Sequence, residues 1–411
     1  MARAGYRVFD SDMHCVEPPD LWERYIEPRF RERAPRSSEF AFRNAVVYME
    51  LEQRIMPWFD PRGPDGRPLP SVLPSAQVRA MVRQAMEQRP EARSLERFQQ
   101  ARFADSSRRG WSADTQLEAM ETEGVDATVV FPTSGLLALA VDELEPEYAG
   151  AVARAYNDWL ADYVKRAPER LFGAAMVAPH SVEEAVRETC RAVEELGFRA
   201  IFLRPNPVQG RQWYDAAYEP LWEACTRLDI PVVFHEGVGS HLPQAGSQFG
   251  GNIFLRHVAC HSMEMMYAAM ALCGGGVLAR HPTLRVGLLE GNCSWVPWLL
   301  HRMDEHWEIQ LGVTHQQLPE PPSHYFRRQC VVSVEADEDF VTHVVDALGA
   351  DNIVFSTDWP HPDSRYPRAV ERFLEIPLPE SARRKILWDN CARLYGWDQR
   401  ESRSVTRAAH G

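Results

Sequence analysis

The feature that most constrains the fold is the regular alternation of short apolar runs with stretches of helical periodicity. Eight apolar runs occur, and each is followed by a helical stretch, the longest predicted from Phe254 to Ala279. Runs such as VDATVVF and PVVFHE are almost continuously apolar, as in strands that a parallel sheet buries on both faces. Eight such strands with helical crossovers predict a (β/α)8 TIM barrel. A doubly wound open sheet is the alternative, but no GxGxxG follows the first strand.

One long stretch interrupts this alternation. Residues 36–112 follow the first strand and its helix, and they contain loop sequences such as DPRGPDGRPLP. Long insertions of this kind are usually functional. We therefore predict a cap that covers the barrel mouth and places Trp58, Phe59 and Trp111 in an apolar substrate pocket. The chain is predicted to be a single domain over residues 1–400, with residues 401–411 as a flexible tail.

Composition excludes several classes of protein. The 411 residues carry a formal net charge of -13, which argues against a nucleic-acid-binding surface. No apolar run approaches the roughly 20 residues that a membrane span requires. The eight cysteines show no CxxC spacing and predict reduced thiols. We expect a cytoplasmic protein that acts on a small molecule, with neither a nucleic-acid nor a membrane partner.

Polar side chains stand where the predicted strands end. The first strand ends in Asp10, Asp12 and His14, which share one face because strand residues alternate. A carboxylate and an imidazole two residues apart can both reach a single ion, which makes Asp12 and His14 the natural pair. Since all strand C-termini of a barrel face one mouth, we add the polar residues at the other ends: Arg204, His235, Glu236, Glu290, Glu335 and Asp358, with His361 just beyond.

Histidine and carboxylate side chains at several strand ends predict a divalent metal site. Mixed nitrogen and oxygen ligands suit Zn, Mn or Fe. His257 and His261 lie four residues apart and therefore share one face of the helix after strand five. A single histidine on a helix is usually structural, so these two are weaker candidates than the strand-end residues.

Several segments resemble a known family. These are DSDMHCVEPPDLW, AYNDWL, PERLFGAAMVAP, PVVFHE, GGGVLARHPTLRVGLLEGNCSWVPWLLHRMDEH, FSTDWPHPD and NCARLYG. The chain is similar to the amidohydrolase-related branch of the metal-dependent hydrolase superfamily, which includes the aminocarboxymuconate-semialdehyde and resorcylate decarboxylases. The resemblance implies a (β/α)8 barrel with one tightly bound divalent metal. It places the metal ligands at Asp12, His14, His235 and Asp358.

The chain departs from the family pattern at the end of strand six. The family has an acid–base histidine there, whereas this sequence has Glu290 in LLEGNCSW. A carboxylate at that position can be a general base if its pKa is raised, or an additional metal ligand. Glu17, His257, His261 and His361 join Glu290 as candidate ligands for a second ion. Two irons held in this way would indicate oxygen chemistry.

Three functional hypotheses follow. The first is a metal-dependent enzyme that hydrolyses or decarboxylates a small aromatic or hydrophobic acid derivative using metal-bound water. Its catalytic residues would be Asp358, Glu290 and His261, and Arg204 would anchor a substrate carboxylate. The second is a non-haem diiron monooxygenase of secondary metabolism that hydroxylates a hydrophobic acid or thioester. The third is a non-catalytic barrel that only binds a ligand.

Two further predictions concern substrate binding and the oligomeric state. Trp295 and His361 are candidate substrate-binding residues near the mouth. The helix that contains Trp295, Trp298 and Trp307, together with the pairing habit of the resembled family, predicts a homodimer.

Overall fold

The computed structural model describes residues 4–37, 48–51, 54–57, 102–236, 244–249, 252–309 and 318–397. Its largest sheet has eight parallel strands in sequence order, which confirms the predicted TIM barrel. These strands are β1 (Phe9–His14), β5 (Ala127–Phe131), β6 (Leu171–Met176), β7 (Ala200–Leu203), β8 (Val232–His235), β9 (Val286–Leu289), β10 (Cys330–Val334) and β11 (Ile353–Phe355). The intervening strands form a separate three-stranded antiparallel sheet: β2 (Arg36–Ser37), β3 (Tyr48–Leu51) and β4 (Arg54–Pro57).

Helices follow the barrel strands. They are α1 (Leu21–Tyr25), α2 (Ala113–Glu123), α3 (Pro146–Val164), α4 (Val182–Glu194), α5 (Glu219–Leu228), α6 (Ile253–Ala269), α7 (Val277–Arg280), α8 (Val296–Glu308), α9 (Pro322–Gln329), α10 (Val341–Leu348), α11 (Ala369–Glu375), α12 (Glu380–Arg384) and α13 (Asn390–Leu394). Every residue of the eight barrel strands is buried, as their apolar sequences predict. Polar residues at the strand ends are therefore held in a dry, rigid frame.

Side chains join the first and last barrel strands. The Ser11 hydroxyl donates to the Phe355 carbonyl at 2.9 Å, and the Ser356 hydroxyl donates to the Asp12 carbonyl at 3.1 Å. The Asp10 carboxylate accepts the Thr357 hydroxyl at 2.5 Å. In addition, β1 changes register against β5 between Asp10 and Met13. This bulge interrupts the simple alternation that we expected along β1.

The described part of the insertion lies at the C-terminal ends of the barrel strands. Residues 102–108 are helical, and the Arg102 guanidinium donates to the carbonyls of Ser364 and Tyr366 in the loop after β11. Trp111 is buried, and its ring lies 6.1 Å from that of Trp359. These contacts agree with a cap near the mouth. Trp58 and Phe59, and the predicted tail at residues 401–411, lie outside the described residues.

The prediction of one continuous helix from Phe254 to Ala279 is wrong. Helix α6 ends at Ala269, a π-helical turn spans Met270–Gly274, and α7 starts at Val277. Gly276, directly before α7, has φ of +79°, a left-handed conformation that breaks the helical path and that glycine adopts without strain.

Two findings bear on the predictions from composition. All eight cysteines are unpaired, as their spacing predicts. Among the described residues, none of the helices combines the length and apolar character needed to cross a membrane.

Candidate metal centre

Two histidines and three carboxylates converge at the C-terminal mouth of the barrel: Asp12, His14, His235, Glu290 and Asp358. The first three lie at the ends of β1 and β8, Glu290 follows β9 directly, and Asp358 lies three residues after the end of β11. Glu290 and Asp358 both have φ of 54°, in the left-handed region that non-glycine residues seldom occupy. Strained backbone of this kind is concentrated at functional sites.

The spacing of the side-chain atoms matches ligands around one ion. His235 Nε2 lies 3.2 Å from Asp12 Oδ2 and 3.0 Å from Glu290 Oε2. His14 Nε2 lies 3.4 Å from Asp12 Oδ1 and 3.5 Å from Asp358 Oδ1. Metal–ligand bonds of about 2.1 Å separate neighbouring ligand atoms by roughly 3.0–3.4 Å in octahedral or tetrahedral geometry. The cluster therefore has the dimensions of a coordination shell.

Backbone carbonyls fix the orientation of both histidines. His14 Nδ1 lies 2.7 Å from the Pro132 carbonyl oxygen, and His235 Nδ1 lies 2.9 Å from the carbonyl oxygen of Glu236. Because a carbonyl only accepts, each Nδ1 carries a hydrogen, and each Nε2 is the nitrogen that faces the carboxylates. This is the usual arrangement of metal-binding histidines.

The polar atoms that face one another are buried and have no hydrogen-bond partner within the described part of the chain. They are both carboxylate oxygens of Asp12, Nε2 of His14 and His235, Glu290 Oε2 and Asp358 Oδ1. Burying so many unpaired polar atoms is costly unless a further group binds them. A divalent cation satisfies all of them at once, so these residues fit a metal ion.

Burial also adjusts the protonation of the cluster. It lowers the pKa of His14 well below its usual value, with His361 and His235 adding to the effect, and so favours the neutral form that binds metals. Burial raises the pKa of Glu290 to about 7, against the influence of His235. It also raises the pKa of Asp358, and nearby Glu290 adds to that rise. The raised pKa favours the protonated form of Glu290 more than in an exposed glutamate.

The structure does not bring Glu17, a candidate ligand for a second ion, to the cluster. Its carboxylate instead accepts the backbone N–H groups of Ser134 at 3.0 Å and Gly135 at 2.8 Å, together with the Ser134 hydroxyl at 3.0 Å. Glu17 therefore anchors the loop that follows β5. Asp10 likewise faces Thr357 and not the cluster.

His257 and His261 have different environments. The His257 side chain is 46% exposed, and its Nε2 lies 3.8 Å from Asp363 Oδ2 at the surface. His261 is buried beside Glu290, with Nδ1 3.0 Å from the Glu290 carbonyl oxygen and 3.4 Å from Oε1. Its Nε2 has no hydrogen-bond partner among the described residues. The structure thus brings only His261 of this pair to the centre.

The three residues predicted to bind substrate have different surroundings. His361 lies in the cluster, where its ring centroid is 3.9 Å from that of His14. The Trp295 indole N–H donates to the Gly291 carbonyl at 2.9 Å and stabilises the turn after β9. Arg204 lines a cavity of about 30 Å³ together with His235. Both of its terminal nitrogens are engaged by Asp142 and backbone carbonyls, which leaves Nε as the donor without a partner in the described structure.

Sequence reasoning missed the loop after β5. Pro132 supplies the carbonyl that orients His14, and Thr133 Oγ1 lies 3.3 Å from His361 Nε2. Neither residue is a metal ligand, and their role arises from contacts between segments more than 100 residues apart. The only available signal was their position directly after a predicted strand.

Comparisons with known proteins agree with this geometry. The family model described as Amidohydrolase matches residues 12–397. A gamma-resorcylate decarboxylase of Polaromonas sp. is 27% identical over 296 residues, which cover 69% of this chain and 86% of that protein. A 2-amino-3-carboxymuconate-6-semialdehyde decarboxylase of Dictyostelium discoideum is 24% identical over 293 residues, covering 70% and 77%. The resemblance stated from the sequence is therefore confirmed.

A solved structure shares the fold. It is a dihydroxybenzoic acid decarboxylase from Polaromonas sp. with bound manganese and the inhibitor 2-nitroresorcinol. The TM-score is 0.63 at 19% identity, over 96% of this chain and 98% of that one. Because the relatives in this family are enzymes, the hypothesis of a non-catalytic barrel that only binds a ligand is wrong. The chain belongs to the amidohydrolase family, and it is an enzyme.

Proposed function

We propose that this enzyme is a metal-dependent decarboxylase of a small aromatic carboxylic acid. The observation that carries the proposal is the buried cluster of unpartnered histidine and carboxylate atoms at the barrel mouth. The relatives described above are named as decarboxylases, and one of them holds manganese. We prefer a decarboxylase to the hydrolase and the diiron monooxygenase considered from the sequence, because these relatives support neither of those two activities.

Four residues would hold the ion in this proposal: Asp12, His14, His235 and Asp358. When bound, a divalent ion such as Mn²⁺ supplies a positive charge that orients the substrate carboxylate and neighbouring oxygens. The residues themselves exclude water, because Asp12, His14 and His235 are fully buried. The backbone carbonyls of Pro132 and Glu236 keep the histidine lone pairs directed inward.

In this proposal Glu290 transfers the proton. Decarboxylation replaces a carbon–carboxylate bond by a carbon–hydrogen bond, so the leaving CO2 must be replaced by a proton at the same carbon. Glu290 stands where the family has an acid–base histidine, and burial brings its pKa to about 7. Its Oε1 lies 3.4 Å from His261 Nδ1, which places a second titratable group behind it. Protonated Glu290 is the proposed donor to carbon.

The test is an assay of CO2 release from a panel of hydroxylated and methoxylated benzoic acids with Mn²⁺-loaded protein. We expect release from at least one member, and no release from a His235→Ala variant, because loss of the imidazole removes a ligand at the core of the cluster. Circular dichroism of the variant controls for folding. Activity in His235→Ala equal to that of the wild type would overturn the assignment.

We also propose that the enzyme is a homodimer. Helices α6 and α8 form an apolar groove of about 520 Å³ between them, with Tyr267 and Trp298 on its walls. Phe254, Tyr267 and Trp298 are 72%, 53% and 60% exposed. These three side chains present roughly 350 Å² if each aromatic residue offers about 200 Å². That is nearly half of the roughly 800 Å² that one partner buries in a standard interface.

A further inference from the structure

A small cavity beside the metal centre extends from His235 to Arg204. Its volume is about 30 Å³, roughly twice the 10–15 Å³ that a water-sized probe needs. Apart from these two residues, the described lining residues have apolar side chains or, at Gly135, none. The cavity can therefore hold a molecule of a few atoms, directly next to a residue of the cluster.

The walls of this cavity are fixed by the fold. Phe131 stacks on the His235 ring at 5.3 Å, and Phe202, a lining residue, packs against Phe131 at 6.0 Å. Gly135 forms another part of the wall, and a Cβ there would lie 2.7 Å from Glu17 Oε1. Glu17 holds Gly135 in place by accepting its N–H at 2.8 Å. The space thus belongs to the packed frame of the barrel mouth.

Few polar groups face this space. His235 uses both ring nitrogens elsewhere, since Nδ1 donates to the Glu236 carbonyl and Nε2 faces the other residues of the cluster. The buried Nε–H of Arg204 is the one side-chain donor without a partner among the described lining residues. A buried water typically makes about three hydrogen bonds. A single donor on apolar walls therefore suits a small apolar molecule with a weak acceptor better than it suits water.

The charge of Arg204 is already balanced. Asp142 accepts from Nη2, and the Arg204 side chain is only 10% exposed. A carboxylate or bicarbonate in the cavity would therefore meet apolar walls and no uncompensated positive charge, and burial of such an anion is costly. CO2 avoids this cost because it is neutral, has no hydrogen to donate and carries two weak acceptor oxygens.

We propose that this cavity receives the CO2 that the enzyme forms. The inference rests on the proposed function and deepens it by giving the second product a site. In the reaction, the bond between the ring carbon and the carboxylate breaks, and the electron pair stays on the ring carbon. That carbon takes the proton of Glu290, and the carboxylate leaves as neutral CO2. Movement of CO2 into the space beside His235 separates it from the ring carbon and keeps water out.

The test is direct detection of bound CO2. Mn²⁺-loaded wild-type protein saturated with CO2 is measured by infrared difference spectroscopy, and CO2 held in an apolar site should give a band displaced from that of dissolved CO2. Bicarbonate, added separately and measured before the two forms equilibrate, should give no such band. Crystals pressurised with xenon should show it in the same cavity, since apolar cavities bind xenon.

Filling the cavity should remove the CO2 site. Leu139 is a partly buried lining residue whose carbonyl accepts from Arg204 Nη1 at 3.1 Å. In Leu139→Trp the larger ring occupies the space, so the band should vanish and the inhibition constant of CO2, measured from loss of the acid, should rise at least about tenfold. Leu136→Phe is a second filling variant from the same wall.

Leu348→Trp is the matched control. Leu348 is also partly buried, and its carbonyl accepts from Arg327 Nη1 at 3.2 Å, but it lies at the end of α10 and does not line the cavity. Its band and its inhibition constant should equal those of the wild type. Circular dichroism confirms that each variant is folded before CO2 binding is measured.

The outcomes distinguish this inference from the proposed function. A wild type that releases CO2 from an acid but shows no bound CO2 overturns the inference and leaves the decarboxylase. A band that persists in both folded filling variants overturns it as well, and so does xenon binding without CO2 binding, which indicates a generic apolar cavity. No CO2 release from any acid of the panel overturns the proposed function, and the inference with it.

Discussion

Glu17 offers a sharp test of the site, because its sequence position suggests a metal ligand and the structure gives it another role. Its carboxylate accepts hydrogen bonds from the Ser134 and Gly135 backbone N–H groups and from the Ser134 hydroxyl, at 2.8–3.0 Å. Glu17 is only 2% exposed, so water cannot replace these bonds. Glu17→Gln keeps the shape of the side chain but replaces one accepting oxygen by an NH2 group.

The magnitude follows from the bonds that are lost. The new NH2 group faces at least one backbone N–H, which is left buried and unpaired at a cost of about 1–3 kcal/mol. Loss of the charge weakens the remaining bonds by about 1 kcal/mol more. We therefore expect Glu17→Gln to lower the free energy of unfolding by about 2–4 kcal/mol.

The assay is urea unfolding of the metal-free proteins, since bound metal would add its own stabilisation. The urea midpoint should fall while the slope stays unchanged. Metal bound at saturation should equal that of the wild type, because Glu17 is not a ligand in this account. An unchanged midpoint together with the loss of one bound ion would refute the reasoning and restore Glu17 as a ligand.

Three further predictions follow from other groups. Glu290→Gln should keep at least one metal ion and lose about 10²–10⁴-fold in kcat if Glu290 is the proton donor; an unchanged kcat, measured by CO2 release, would contradict that role. Burial lowers the pKa of His180 to about 4 from 6.5, so the unfolded chain binds a proton more readily and stability should fall by about 3 kcal/mol as pH drops from 6.5 to 4. His180→Gln should lose this pH dependence in unfolding measurements, and an identical profile in both proteins would count against it. Trp298→Glu should convert a dimer into a monomer in light scattering, whereas a wild-type monomer would rule out the dimer.

The sequence predicted the barrel and most of the centre because both follow from simple geometric rules. Continuous apolar strands indicate a parallel sheet, and the strand C-termini of a barrel converge. These rules placed Asp12, His14, His235, Glu290 and Asp358 at the mouth together with other polar strand-end residues, and the family resemblance then indicated which of them are metal ligands. The left-handed backbone at Glu290 and Asp358, which directs both side chains inward, has no sequence signal comparable to a glycine.

The remaining features depend on contacts that no local pattern reveals. Glu17 is three residues from His14, yet its partners lie more than 100 residues away. Alternation along β1 predicts that Asp10 shares a face with Asp12 and His14. The bulge in β1 interrupts that alternation, and Asp10 contacts Thr357 instead. The break after α6 could have been predicted from the sequence. Three consecutive glycines, Gly274–Gly276, are a helix-breaking signal, but the helix prediction followed the apolar periodicity on both sides of them.

The central claim is that this centre decarboxylates an aromatic acid and requires metal to do so. The most direct measurement follows CO2 release and O2 consumption together, on one substrate, with chelator-treated protein before and after Mn²⁺ is restored. The account predicts no CO2 release without metal, and release without O2 uptake once metal is present. CO2 release that survives metal removal, or product formation that consumes one O2 per turnover, would contradict it.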